Sequence, residues 1–139
     1  MPENIADSRI SKVFLLLVCF QALHSIEEYI GKLWENFPPA TWLTGVVSDD
    51  HHLGFLIINI GLFVVGLISW YVLVKPNHKL AKFPIIVWIL IELMNGVGHP
   101  LWSIMQGSYT PGVLTAPFLL ITALYLIKLI YDDRVRFSK

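Results

Sequence analysis

The chain has 139 residues, 55% of them hydrophobic and 14% charged, with ten basic and ten acidic side chains that cancel and a mean hydropathy of +0.65. Soluble domains run nearer to about 45–50% apolar and about 25% charged, so the expected solvent is lipid and the bilayer is the first expected partner. No charge excess points to nucleic acid, and the length leaves room for one domain, 1–139.

A membrane helix needs about 20 largely apolar residues, and the pattern predicts four. The first span, 10–30, is apolar until it meets His24, Glu27 and Glu28. It holds the lone Cys19, read as a small buried hydrophobe. It ends in carboxylates rather than a small-residue cleavage site, so no cleavable signal peptide is expected. Residues 31–50 form an outer loop, with Trp34 and Trp42 suited to the interface and a break at Pro38-Pro39. Its 42–47 stretch reads as a lid against the membrane or as an ordinary loop with aromatic anchors.

The second span, 53–74, has no charge, and the third, 83–102, has only Glu92. Pro100 removes a helix donor and disfavours helix at His99, so a kink or an end is expected there. The fourth, 114–131, places Pro117 in its first turn after Thr115 as N-cap and lets Lys128 snorkel.

Arg9, Lys12, Lys75, Lys79, Lys82, Lys128, Arg134, Arg136 and Lys139 fall on one side of these spans, and only Lys32 on the other. Positive charge stays inside. The expected fold is therefore an all-α polytopic bundle of four transmembrane helices with both termini cytoplasmic.

Polar residues line up on the spans. On the first, Gln21, Glu27 and Glu28 lie within about 60° of His24 at 100° per residue. On the third, Asn95 and His99 lie within about 60° of Glu92, and Gly96 beside them lets a backbone approach. The second offers His52, Asn59 and Gly66 at sevens, about 20° apart per step. His51 points about 100° from His52, which favours His52 as the inward histidine. At a rise of about 1.5 Å per residue, His24, His52 and His99 converge on the outer, non-cytoplasmic half of the bundle, with Glu92 nearer the midplane.

An ionisable residue in a span costs at least about 2.5–3.5 kcal/mol and is functional by default. Glu28 reaches Lys32 at i+4, but Glu27 and Glu92 have no such partner in sequence. Either they are protonated or a cation sits among them. Imidazole with carboxylate favours Zn, Fe or Mn, and His24 with Glu28 at i and i+4 can grip one ion. The di-iron bundle order Glu-x-x-His is reversed here, and HExxH is absent. From spacing alone a metal site, a polar network that orients helices and a proton-titrating pocket all stay open.

At His24-Ser25-Ile26-Glu27-Glu28 the sequence resembles the HXXEE family of integral membrane proteins, described by that motif, a further histidine and a Tyr-x-Pro-Gly motif. Tyr109-Thr110-Pro111-Gly112 matches the last, and His99 (or else His52) the second. The resemblance implies a membrane protein with enzymatic activity and names no reaction. Read from the residues, Pro111-Gly112 is a type II turn at the outer mouth, where Tyr109 can donate a hydrogen bond to substrate or anchor the interface.

The first functional expectation is a metal-dependent hydrolase or oxidoreductase acting on a lipid-like or otherwise lipophilic substrate. Its metal ligands are His24, Glu28, His52 and His99, its catalytic residues Glu27, Glu92 and Tyr109, and its supporting residues Gln21, Asn59 and Asn95. The second is a metal-free acid–base enzyme or binding protein for a lipophilic amine or sterol-like ligand. The third is a transporter or accessory subunit, a homodimer if Gly54, Gly61 and Gly66 mark a helix interface.

Overall fold

A computed structural model describes residues 5–137, with side chains described over 8–132; Arg134, Arg136 and Lys139, which weigh in the orientation argument, fall outside those side chains. The fold is all-α: α1 (Ile5–Ile30), α2 (Leu33–Asn36), α3 (Pro38–Val47), α4 (His51–Ser69), a π-helical extension Trp70–Val74, α5 (Lys82–Gln106) and α6 (Ala116–Phe137).

Three stretches are long and apolar enough to cross a membrane: Ser8–Ile30, His51–Val74 and Lys82–Gln106. The expected count of four is not reached by length and composition among the described residues. The fourth expected span, 114–131, falls on α6, which carries Lys128.

The loop expected at 31–50 is largely helical. Pro38 and Pro39 open α3 instead of breaking the chain, because proline at the first helical positions gives up a donor that has no intrahelical partner. Asp50 caps α4, its carboxylate accepting from the backbone N–H of His52 at 3.0 Å and Leu53 at 3.3 Å. Below, α4 widens into the π segment, with Lys75 N–H donating to Trp70 C=O at 2.7 Å, and Trp70 Nε1 is held by Ser11 Oγ at 3.0 Å.

Of the kink or end expected at Pro100, the end does not occur. α5 runs through it to Gln106 and ends at Gly107, φ 63°. One proline removes a single ladder bond, and the helix here persists across that loss. Cys19 faces outward rather than inward.

α1 packs against α4 on one side and α6 on the other, and α6 packs along α5. Between α1 and α5 the space is filled by side chains, in layers. The layer toward the expected cytoplasmic end is dry: Phe14, Leu17 and Val18 meet Ile85, Trp88, Ile89, Ala123 and Leu126. Above it comes a polar layer, and over that an aromatic cap of Trp34, Phe55, Phe37 and Trp102.

Small residues set these approaches. A Cβ on Gly66 would lie 2.8 Å from both Trp88 and Val18, and one on Gly96 2.7 Å from Leu120, whereas Gly61 has open space around it. Gly54 and Gly66 thus pack within the chain, Gly54 beneath Thr44. Gly96→Ala is expected to cost about 1–3 kcal/mol by overpacking, read as a lower Tm in detergent, while Gly61→Ala leaves Tm unchanged. Equal Tm values for the two variants would contradict this packing.

Candidate metal centre

The i, i+4 spacing on α1 places His24 and Glu28 on one face, with His24 Nε2 3.3 Å from Glu28 Oε1. From α5, His99 Nε2 reaches the same oxygen at 3.2 Å. The two rings meet edge to face, 4.7 Å between centroids. All three side chains are buried, and one ligand atom from each lies within 4.8 Å of the others.

The other ring nitrogens reveal what occupies the three facing atoms. His99 Nδ1 lies 2.7 Å from the Pro111 carbonyl oxygen, which only accepts, so Nδ1 carries a proton. His24 Nδ1 lies 2.7 Å from Thr115 Oγ1. That hydroxyl has one proton, and it points to Glu27 Oε2 at 2.6 Å in preference to the Gly112 carbonyl at 3.4 Å. Thr115 must then accept from His24 Nδ1–H. With Nδ1–H committed, each ring turns Nε2 toward the Glu28 carboxylate, as a lone pair when the ring is neutral and as an N–H donor when it is an imidazolium. His24 Nε2 makes no hydrogen bond there despite its distance, because the angle is poor. Imidazoles whose outer N–H is fixed by a carbonyl or a carboxylate-backed hydroxyl are the usual setting of histidine metal ligands.

Glu27 is not partnerless. It accepts from Thr115 Oγ1, Thr115 N–H at 2.9 Å, Leu114 N–H at 3.1 Å and Tyr109 Oη at 2.9 Å. All four donors lie far along the chain, beyond the reach of helical spacing. Thr115, expected as the N-cap of α6, commits its hydroxyl to Glu27 instead. Tyr109 is outside the spans and 55% exposed; desolvation first, then the Glu27 carboxylate, hold its phenol above its ordinary range, so it stays a donor.

The Tyr109–Gly112 motif closes the site. Val113 N–H donates to Thr110 C=O at 3.2 Å and Gly112 has φ 92°, the type II turn expected from Pro111-Gly112. A Cβ on Gly112 would fall 2.6 Å from His99 Nδ1 and 2.7 Å from His24 Cε1. The motif's glycine is thus the surface on which both imidazoles rest. Thr110 Oγ1 is buried without a partner, at a cost of about 1–3 kcal/mol.

Glu92 is fully buried one layer deeper. With the Gln21 amide nitrogen turned toward it, that nitrogen lies 2.7 and 3.1 Å from its two oxygens, and Asn95 Nδ2 donates at 3.4 Å. No lysine or arginine pairs with it among the described residues.

His52 stays apart from the cluster. It is exposed in the first turn of α4, its Nε2 2.7 Å from Tyr29 Oη. His51 bonds Thr44 Oγ1 through Nδ1 at 2.9 Å. The cause is that α4 packs on α1 and α3, which leaves its first turn under the α2–α3 segment. Asn59 also turns elsewhere, accepting from Ser25 Oγ at 2.7 Å. Ser25 and Thr110 entered the sequence reading only as motif positions and Thr115 only as an N-cap, and no spacing rule signals their part in the site.

A family model described as "protein of unknown function with HXXEE motif" matches residues 15–126. No curated protein and no solved structure matches the chain.

Gly112→Ala should push both rings off their seats and strain a positive φ, costing about 1–3 kcal/mol. The measurement is thermal unfolding in detergent, with Gly98→Ala, which meets open space, as the control that should not move. A silent Gly112→Ala would mean that the turn does not touch the histidines.

Proposed function

The chain belongs to the HXXEE family, and on that premise we propose that it is a membrane-embedded, metal-dependent enzyme acting on a lipid-like or otherwise lipophilic substrate. One observation carries the reading: two imidazole Nε2 atoms lie 3.2–3.3 Å from one Glu28 oxygen in a buried layer, the three ligand atoms all within 4.8 Å of one another and both outer N–H groups already committed. Three electron-rich atoms in low dielectric repel strongly unless a cation sits among them. His24, His99 and Glu28 would hold a divalent ion, with Zn or Fe favoured and Mn allowed, and three protein ligands leave a coordination position for water or substrate. Such an ion supplies Lewis acidity and an activated water for hydrolysis, or, if it is iron, oxidation chemistry.

The chain's own residues divide the remaining work. Glu27 acts as a positioning residue, through Thr115 on His24 and through Leu114 and Tyr109 on the closing turn. Glu92, with Gln21 and Asn95, is the buried carboxyl that takes up or returns a proton. His52 and Asn59, expected as ligand and supporting residue, serve the rim and the α1–α4 contact. For the substrate, a lateral groove of about 260 Å³ lies between α1 and α4, lined by Ile26, Leu56, Ile60 and Phe63 with Ser25 and Asn59 as its polar points.

In the same reading, residues 1–139 form one domain in which α6 completes a fourth span. Supporting this, α6 lies along both α1 and α5 and presents Phe118, Ile121, Leu124 and Ile127 outward. Both termini are then cytoplasmic and the site faces the other side.

A second reading is a metal-free acid–base or amine-binding pocket, which the same 3.2–3.3 Å contacts also suit if one imidazole is protonated toward Glu28. Transport fits least, because the layer below the site is packed with apolar side chains.

Purified protein should carry about one divalent ion per chain by elemental analysis, and His24→Ala and His99→Ala should lose it. Chelation should lower stability by about 2.7 kcal/mol relative to free metal at a hundredfold excess over Kd. Metal-free wild type that gains no Tm from Zn, Fe(II) or Mn, but gains it from amphipathic amines, would establish the second reading. Thr115→Val should release His24 Nδ1 and weaken metal binding about 10–100-fold, with ¹⁵N shifts showing a mixed His24 tautomer while His99 keeps Nδ1–H. An unmixed His24 signal would break the proposed Glu27–Thr115–His24 chain.

A further inference from the structure

We infer that the cleft at the outer mouth of the site binds a neutral, hydroxyl-bearing group, such as a glycerol or a single sugar ring. As the seat of a substrate's head group, this rests on the enzyme reading above; as a binding site it is measurable without metal. The cleft holds about 300 Å³ and is walled by Asn36, Trp102, Gln106, Ser108, Tyr109 and Thr110, with the Pro111 turn at its base. That volume is at the lower end of the about 300–1,000 Å³ typical of small-molecule sites.

None of the residues lining the cleft is charged. A phosphate or carboxylate entering it would lose water and gain no cation, and a quaternary ammonium would find the Trp102 and Tyr109 rings but no free carboxylate, since Glu27 already accepts four hydrogen bonds. Desolvating a charge without a partner is strongly unfavourable. Uncharged donors and acceptors, in contrast, are plentiful. The Gln106 amide and the Ser108 hydroxyl make no hydrogen bond among the described residues, and Asn36, which donates to the Gly31 and Lys32 carbonyls, keeps its amide oxygen. Thr110, 3% exposed, has a buried hydroxyl without a partner. Amides and hydroxyls that both donate and accept match the hydroxyls of a polyol, and the Trp102 ring, braced by Phe37 at 4.6 Å between centroids, offers a face for its C–H groups.

The walls also lead to the triad. Pro111 C=O holds His99, and Tyr109 holds Glu27, which holds Thr115 against His24. A head group seated here rests against the supports of both histidines.

The test uses full-length protein in nanodiscs after EDTA treatment, reading the part of the indole fluorescence that Trp102→Phe removes. 1-Monooleoylglycerol and octyl glucoside should give a saturable change, and lysophosphatidylcholine and lysophosphatidylglycerol none. Free glycerol or glucose giving the same change would identify a soluble polyol as the source, and a change that needs the alkyl chain would identify a lipid. Replacing the exposed Gln106 and Ser108 together (Gln106→Leu with Ser108→Ala) should weaken binding about tenfold without altering Tm. Equal response to the charged lipids, no saturable response, or full affinity in the double variant would overturn the inference. Metal content measured on the same preparation keeps the two claims separate: binding without any metal capacity sinks the enzyme reading alone, and metal without binding sinks the cleft alone.

Discussion

The geometry turns on where two protons are. Each histidine of the buried triad gives its Nδ1–H to a partner that can only accept: the Pro111 carbonyl for His99, and a Thr115 hydroxyl already donating to Glu27 for His24. Those bonds fix which nitrogen is left over, and the leftover nitrogens both face Glu28. Had either Nδ1 been open, a ring tautomer with Nε2–H on Glu28 would satisfy the layer, and nothing further would be required of it. With both taken, two neutral rings leave Glu28 without a positive partner, whereas a ring protonated at Nε2 supplies one.

That constraint is imposed from a distance in sequence. The turn before α6 supplies the carbonyl, the hydroxyl and the glycine surface, while α1 and α5 supply the rings. Glu27 fastens the two halves by gathering four donors from Tyr109, Leu114 and Thr115. The consecutive glutamates of the motif point about 100° apart on the helix, so one faces the histidines and the other the turn. A single glutamate cannot do both, which gives a physical reason for the doubled acid at this point of the chain.

What sequence reveals here is periodic, and what it hides is not. Helical angle puts His24, Glu28 and Glu92 on inward stripes, and rise per residue brings His24 and His99 to one level; the structure has them buried together. The same angle favoured His52 over His51, yet angle says nothing about which neighbour a helix faces, and α4 faces α1 and α3. Glu27 looked unpaired because its donors lie more than 80 residues away. The prolines act differently at the two places: Pro38-Pro39 starts a helix where a break was expected, and of the kink or end expected at Pro100 the end does not occur, since a proline's effect depends on whether its missing donor had a partner to lose. For α6, hydropathy marks an apolar run at 114–131, and the helix that covers it begins at Ala116.

The layering explains why the site lies where it does. Below it, Phe14, Leu17 and Trp88 exclude water, and above it Trp34, Phe37 and Trp102 close most of the mouth. An uncompensated carboxylate between such layers would be costly, because Glu28 keeps only a small solvent-accessible fraction. The apolar packing on either side therefore also raises the cost of leaving Glu28 without a positive partner. In the proposed reading, a cation at that point would relieve the repulsion and tie α1 to α5, two helices joined in this layer by side chains more than by backbone contact.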